Sequence, residues 1–323
     1  MSLNQKIEEW LKDTTQMLDI NNLELTEWPK QLIGKEHLIK ALNCSYNKLK
    51  SLPNNLHEVP GDFVPWTNLK TLYCFDNQLT SLPNSITNLE TLNCSYNKLK
   101  SLPNNLTKLE ELHCSNNKLK SLPNNFTNLI YLDCCNNRLA SLPNGLKENS
   151  PSWPKFETLY CSDNELTSLP NNLTNLEILD CSDNELTFLP NNLANLKILY
   201  CSNNRLASLP NNLKKVPPSW PKLEELRCWN NQLTSLPNNL TKLKKLICFG
   251  NPLFSNELEK WKKIWPISIR HQRVLRNAGI KRVVKVLKNR LYLPCLNELR
   301  DELIWSPNHP GKFFELLTRY GNW

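Results

Sequence analysis

Residues 92–117, LNCSYNKLKSLPNNLTKLEELHCSNN, contain one complete repeat and the beginning of the next. Cys94 lies two residues after a leucine and three residues before Asn97, and the same arrangement returns twenty residues later at Cys114. Self-similarity at a fixed period is typical of architectures in which identical units stack on one another. The stretch therefore indicates that the cysteines serve a repeating architecture rather than a single chemical site.

The register of this repeat extends along most of the chain. Ten cysteines occupy equivalent positions in the pattern LxxLxC, namely Cys44, Cys74, Cys94, Cys114, Cys134, Cys161, Cys181, Cys201, Cys228 and Cys248. We call these ten residues the ladder cysteines. They are 20 residues apart except after the first, fifth and eighth, where the intervals are 30, 27 and 27 residues. An asparagine follows each ladder cysteine by three residues, and a leucine follows each by five.

This pattern resembles the leucine-rich repeat family, whose hallmark is LxxLxLxxNxL, with cysteine replacing one leucine. The resemblance covers roughly residues 20–254. The unit carrying SLPNNL is similar to the short repeats seen in bacterial effector proteins, and the CSxN variant is similar to repeats of giant DNA viruses. The resemblance implies an α/β fold: a right-handed solenoid with a parallel sheet on its concave face and extended or 3-10 arms on its convex face. The ubiquitin-ligase domains of such effectors are far larger than the 69-residue tail, so that activity is not expected here.

The physical chemistry of one repeat leads to the same architecture. In the strand TLYCF (residues 71–75), Leu72 and Cys74 point to one face, because successive side chains of a strand alternate. Neighbouring strands are about 4.8 Å apart, whereas a disulfide needs Cβ atoms about 3.8 Å apart and converging. We therefore expect the ladder cysteines to be buried thiols, with no metal or cofactor. The repeated asparagine is expected to bond the backbone of its own turn and of the next repeat.

The composition excludes several other classes of protein. The 323 residues include only seven glycines, and neither GxxxxGK[ST] nor GxGxxG occurs, which argues against a phosphate-loop or dinucleotide-binding enzyme. The first twenty residues contain acids such as Glu8 and Glu9 and no apolar core of a signal peptide. No apolar run has the length of a membrane span. We expect a cytoplasmic protein with reduced thiols, located in the host cytoplasm if the chain is viral.

Composition also divides the chain into three predicted parts. Residues 1–20 are expected to form a capping helix, with Ser2 and Gln5 as a capping box. Apolar residues at helical spacing support that helix, namely Ile7, Trp10, Leu11, Met17 and Leu18. Residues 21–254 are expected to form a solenoid of about eleven repeats. Residues 255–323 carry 14 Lys and Arg against 6 Asp and Glu, a net charge of +8, and are expected to form a basic helical cap.

Two features outside the regular repeats leave alternatives open. Insertions carry Trp66, Trp153 and Trp220, which either pack over the rim of a longer repeat or serve as exposed anchors for a partner. The tail segment IKRVVKVLKNRL (280–291) is amphipathic and basic, and offers an alternative function in binding nucleic acid or an anionic membrane. The residues that would carry it are Lys281, Arg282, Lys285 and Lys288.

The outward residues of the strands are the main candidates for function, because the core makes no demand on them. Aromatic and charged side chains alternate there, which suits a protein partner. The predicted contact residues are Tyr73, Phe75, His113, Asp133, Tyr160, Asp180, Tyr200, Arg227 and Trp229. Serines follow most ladder cysteines and are expected to leave a shallow track open to another chain. We therefore predict a non-catalytic scaffold that binds a protein and no small-molecule substrate.

One group of residues raises the alternative of a thiol enzyme. Cys135 faces outward, Asp133 shares its strand face, and His113 stands beside Asp133 in the preceding strand. By sheet geometry the backbones of Cys135 and His113 are about 7–8 Å apart. No oxyanion donor or closed pocket accompanies them in the sequence. We predict that the group is not catalytic.

Overall fold

The computed structural model describes residues 1–54, 66–143, 155–171, 173–210, 220–237, 240 and 242–253. These residues contain helix α1 (Leu3–Lys12) and 3-10 helices at Lys30–Leu32 and Glu36–Leu38. The strands are β1 (Leu18–Asp19), β2 (Ala41–Asn43), β3 (Thr71–Tyr73), β4 (Thr91–Asn93), β5 (Glu111–His113), β6 (Tyr131–Asp133), β7 (Thr158–Tyr160), β8 (Ile178–Asp180), β9 (Ile198–Tyr200), β10 (Glu225–Arg227) and β11 (Lys245–Ile247). The predicted cap at 255–323 lies outside the described residues, and the three domain boundaries remain predictions.

The eleven strands form one open parallel sheet in which each strand pairs with the next along the chain. The pairing keeps equivalent residues of successive repeats side by side, so that Leu179 lies opposite Leu199. The predicted solenoid is confirmed. Its first repeat has no cysteine, and Ile20 takes the equivalent place, with its backbone N–H donating to Asn43 O at 2.8 Å.

The core is a continuous column of leucine and cysteine beneath the sheet. In one central repeat Leu176, Leu179, Cys181, Leu186 and Leu189 are all at most 3% exposed. All ten ladder cysteines are buried, which confirms their predicted inward direction. No disulfide joins the cysteines of the described residues. Burial raises the pKa of the Cys44 and Cys94 thiols to about 12, because the thiolate loses its hydration. Burial also raises the pKa of six other ladder thiols, those of Cys74, Cys114, Cys134, Cys161, Cys181 and Cys201. The ladder sulfurs therefore act as small apolar groups.

The ladder asparagine of each repeat bonds the backbone of two repeats. The Asn184 Oδ1 accepts from Leu166 N at 3.0 Å, and its Nδ2 donates to Cys161 O at 3.0 Å and to Cys181 O at 3.2 Å. Leu166 and Cys161 belong to the preceding repeat, so the expectation of a bond to the next repeat is wrong. The two backbone groups of Cys161 explain this direction. Its N–H donates to Asp180 O of the next strand at 2.8 Å, whereas its carbonyl oxygen remains available and accepts from Asn184 of the following repeat.

The residue before each ladder asparagine adopts a left-handed backbone, with φ of 53° at Asp163 and 54° at Asp183. This conformation suits asparagine, aspartate and glycine better than other residues. Gly250 takes the place in the last repeat with φ of 62°, where a Cβ atom would lie 2.0 Å from Asn230 Oδ1. The turn therefore explains why Asp, Asn and Gly recur in this column.

Helix α1 covers the first repeat with a short apolar face. The Ser2–Gln5 capping box is present, and Ile7 and Trp10 are buried. The helix ends at Lys12, because Asp13 turns the chain and its carboxylate accepts from Thr15 N at 3.0 Å. Leu11 and Met17 are 41% and 40% exposed, so their predicted part in the buried face is wrong.

The tryptophans of two insertions pack inside the solenoid. Trp66 and Trp220 are at most 1% exposed, which rules out exposed anchors at these two positions. The Trp66 Nε1 donates to Pro53 O at 2.7 Å, and its ring meets Trp28 edge-on at 5.2 Å between centroids. Trp153 lies outside the described residues.

Candidate functional site

The concave face consists of the first and third residues of the strands β2–β11 together with the residue after each ladder cysteine. The middle residue of every strand points into the core, whereas the nine predicted contact residues are all partly exposed. No helix or strand in the described ranges packs over these side chains. Within the described residues, the first and third residues of the strands β2–β11 are thus partly or fully exposed.

Six of the nine predicted residues form one unbroken row across the strands β5–β10. Strand register places them side by side in the order His113, Asp133, Tyr160, Asp180, Tyr200 and Arg227. We call this set the central row. Tyr73 is separated from the central row by Asn93. Phe75 and Trp229 belong to the neighbouring column, so the structure divides the predicted residues into one row and two flanking groups.

Aromatic rings contact one another along the face. The rings of His113 and Tyr131 lie 4.6 Å apart between centroids, and those of Tyr131 and Tyr160 lie 5.8 Å apart. Trp229 stacks on Phe249 at 5.2 Å with an interplanar angle of 11°. Such contacts hold large side chains in fixed positions, which lowers the entropy that binding a partner would otherwise cost.

Charges at the C-terminal end of the row are paired within the protein. The Arg227 guanidinium lies over the Tyr200 ring, 4.2 Å from its centroid, and its Nη2 is 2.9 Å from Glu225 Oε1. The Lys245 Nζ is also 2.9 Å from the same carboxylate oxygen. Burial alone would raise the pKa of Glu225, but hydrogen bonds from Lys245 and Arg227 lower it overall. A single carboxylate, that of Glu225, therefore pairs with both cations and offsets one of their two charges.

Charges in the middle of the row are not paired. Within the described residues, no lysine or arginine forms an ion pair with Asp133, Asp163, Asp180 or Asp183. Burial and the nearby Asp183 and Asp163 raise the pKa of Asp180. Tyr131 has its pKa raised to about 12, by burial and by the Asp133 carboxylate. The centre of the face is therefore a region of negative potential lined with aromatic rings.

The serine column is open along only part of its length. Ser45, Ser95, Ser115 and Ser202 are at most 6% exposed, and Ser115 Oγ donates to Ser95 Oγ at 3.1 Å, so the predicted track is closed at these positions. Ser162 and Ser182 are partly exposed, which agrees with the prediction in the middle of the sheet.

Comparison with known proteins agrees with this geometry. The family model described as leucine rich repeats (2 copies) matches residues 67–108, 87–126 and 107–148, and that described as leucine rich repeat matches 175–196 and 195–216. The chain contains leucine-rich repeats. None of the curated proteins matches its sequence.

Solved leucine-rich repeat structures share the fold of this protein. YopM, an effector of Yersinia pestis, is 26% identical with a TM-score of 0.51, covering 76% of this chain and 81% of its own. The functional domain of InlJ from Listeria monocytogenes, which includes a cysteine ladder, is 28% identical with a TM-score of 0.58, covering 73% and 54%. The PEPR1–AtPEP1 structure is 27% identical with a TM-score of 0.59, covering 73% and 35%. The repeats and these neighbours indicate a protein–protein interaction module.

The group of Cys135, Asp133 and His113 lacks the features of an activated nucleophile. The Cys135 Sγ accepts a hydrogen bond from Ser162 Oγ at 3.2 Å. His113 Nε2 is instead 2.8 Å from Glu111 Oε1. Burial and the Asp133 charge raise the pKa of Cys135 to about 12, so the thiol is protonated at neutral pH and is a poor nucleophile. In the described ranges, no group of three or more His, Cys, Asp and Glu could hold a metal ion.

Sequence reasoning missed the first column of the face. Glu111, Tyr131 and Glu225 open their strands and are partly exposed, on the same face as the third residues. The strand period of two was a sufficient signal to find them.

Among the described residues, no helix is long and apolar enough to cross a membrane; α1 is the longest of them.

Proposed function

We propose that this protein is a non-catalytic interaction module that binds a protein partner through its concave face. The observation that carries the proposal is the central row, six adjacent aromatic and charged side chains that the fold leaves without a covering layer in the described residues. Aromatic and arginine side chains held in place are typical of the residues that dominate binding energy at protein interfaces.

Relatives support this assignment in kind. The structure solved as PEPR1–AtPEP1 shows a related repeat array together with a partner. The proposal includes an intracellular location, where the ladder thiols would stay reduced. The alternative of nucleic-acid or membrane binding through Lys281, Arg282, Lys285 and Lys288 lies outside the described residues, and no described contact favours it.

Affinity capture from a cell lysate with the full chain as bait tests the proposal. The test variant replaces Tyr160, Tyr200, Arg227 and Trp229 with alanine, and we expect it to lose the proteins that the wild type captures. The matched control replaces the exposed residues Lys50, Lys100, Lys120 and Phe188, which lie beyond the strands, and should retain them.

Two results would contradict the proposal. One is capture by the quadruple concave-face variant that equals the wild type while its circular dichroism shows a folded chain. The other is capture that persists in that variant but disappears when Lys281, Arg282, Lys285 and Lys288 are changed to glutamine in the full chain.

A further inference from the structure

The negative charge of Asp133 and Asp180 is not required by the fold. Each carboxylate accepts from the backbone N–H two residues later, at 3.1 Å from Cys135 N and 3.0 Å from Ser182 N. Asn43 and Asn93 occupy the same column in other repeats, and their neutral side chains make the same bond at 3.2 Å. The local structure therefore needs an acceptor oxygen and not a charge.

The two carboxylates flank one aromatic ring. Tyr160 pairs with Asp133 on one side and with Asp180 on the other, so the ring lies between two acids about 9.6 Å apart at the backbone, twice the strand spacing. No described cation approaches either acid. Nearby charge also affects Tyr160, whose pKa is raised by burial first and then by Asp180 and Asp133.

An aromatic ring elsewhere on the same face has both a carboxylate and a cation beside it. The Tyr200 ring, two strands from Tyr160, is covered by the Arg227 guanidinium at 4.2 Å, and this guanidinium also donates to the Glu225 carboxylate. A cation above an aromatic face is attracted by the ring quadrupole, and more strongly when the pair is shielded from water. Tyr160 has the ring and the carboxylates but lacks a cation of its own.

We infer that the concave face selects a partner segment that presents a lysine or arginine, whose cationic group lies over the Tyr160 ring between Asp133 and Asp180. The inference rests on the proposed function and names the chemistry of its partner: an extended, basic polypeptide segment. Asp163 and Asp183 are not part of this site, since their left-handed turns account for them. The unpaired carboxylates of Asp133 and Asp180 would repel the phosphates of a nucleic acid at this site.

Peptide display on the immobilised full chain tests the inference. Random 12-residue peptides are selected, and synthetic copies of the selected clones are titrated by fluorescence anisotropy. The test variant is D133N/D180N, which keeps both backbone bonds, as Asn43 and Asn93 show. The matched control is D163N/D183N, which removes the same number of charges from the turns after β7 and β8, at positions where asparagine also occurs, as at Asn116 and Asn136.

We expect selected peptides to contain lysine or arginine and to lose at least about tenfold in affinity with D133N/D180N, the equivalent of about 1.4 kcal/mol. The control should lose no more than about threefold, and changing the peptide's basic residue to glutamine should reproduce the tenfold loss. Selected peptides without basic residues, or unchanged affinity for D133N/D180N, would overturn the inference.

The quadruple concave-face variant separates the two proposals. Peptides that lose affinity for it but not for D133N/D180N leave the proposed function standing and reject the cation site alone. Peptides that bind it as well as the wild type, or a selection that yields no peptide dependent on the face, count against both proposals.

Discussion

Replacing Asn184 with alanine tests how the stack of repeats is held together. The substitution removes the acceptor Oδ1 and the two Nδ2 hydrogens that three carbonyl oxygens share, those of Cys161, Cys181 and Ser182, but the consequences of these losses are unequal. The Leu166 N–H has its described bond to Asn184 Oδ1 and would be left unpaired in the buried interior. The carbonyls of Cys161 and Cys181 keep a second donor each, from Asn164 at 3.2 Å and Asn204 at 2.9 Å. One orphaned donor and weakened carbonyl bonds predict a loss of about 2–4 kcal/mol in the free energy of unfolding.

Two measurements check this value. Urea denaturation followed by circular dichroism gives the change in stability, and amide hydrogen exchange reports the Leu166 N–H directly, which matters because repeat arrays can unfold in parts. The control is Asn195→Ala. Its partly exposed side chain donates to Thr174 O at 3.0 Å and accepts from Lys222 Nζ at 2.7 Å, and its loss should cost less than about 1 kcal/mol because solvent can replace both partners. The reasoning is refuted if Asn184→Ala costs no more than this control and the Leu166 amide keeps its protection.

Further substitutions test the packing and the charges. Trp220→Ala should cost about 3–5 kcal/mol, measured by urea denaturation, because it empties a fully buried site; a cost below about 1 kcal/mol would place the ring at the surface. Cys181→Ser should be less stable than Cys181→Ala by about 1–3 kcal/mol, since a hydroxyl is buried without a designed partner; equal stability would contradict an apolar core there. Asp180→Asn should be more stable than the wild type at neutral pH, because burial raises the pKa of Asp180 and its charged form therefore destabilises the folded state. The difference in stability should disappear as the pH falls through this raised pKa, since the folded wild type binds the proton more tightly than the unfolded chain does. A difference that is unchanged at acidic pH, in denaturation curves taken across the range, would show that the charge of Asp180 is not its cause.

The fold follows from the sequence because three independent columns share one register. Leucine, cysteine and asparagine at fixed spacing determine which side chains point inward and where each turn falls, and the structure agrees at every ladder cysteine. The end of α1 was harder to predict from the sequence. Leu11 and Met17 fit a helical period, but Asp13 ends the helix through a local side-chain bond that periodicity does not register.

The site was only partly predictable, since pairing of charges depends on side-chain conformations across strands. Arg227 was identified, but its neutralisation by Glu225 required the rotamers of two neighbouring residues. Asp163 and Asp183 also carry charge near the row, but their φ angles of 53° and 54° show that the turn itself favours these residues. Asn, Asp or Gly precedes eight of the ten ladder asparagines, with Tyr46 and Tyr96 as the exceptions, and this preference is the sequence signal for that turn.

The assignment of inner and outer faces underlies the fold, the binding proposal and the cation site alike. Native-state labelling with iodoacetamide at pH 7, followed by peptide mass spectrometry, tests it most directly. The account predicts that the ten ladder cysteines stay unmodified until the chain is unfolded in urea, and that the half-buried Cys135 reacts far more slowly than a free thiol. Modification of several ladder cysteines in the folded protein at the rate of a free thiol would contradict it.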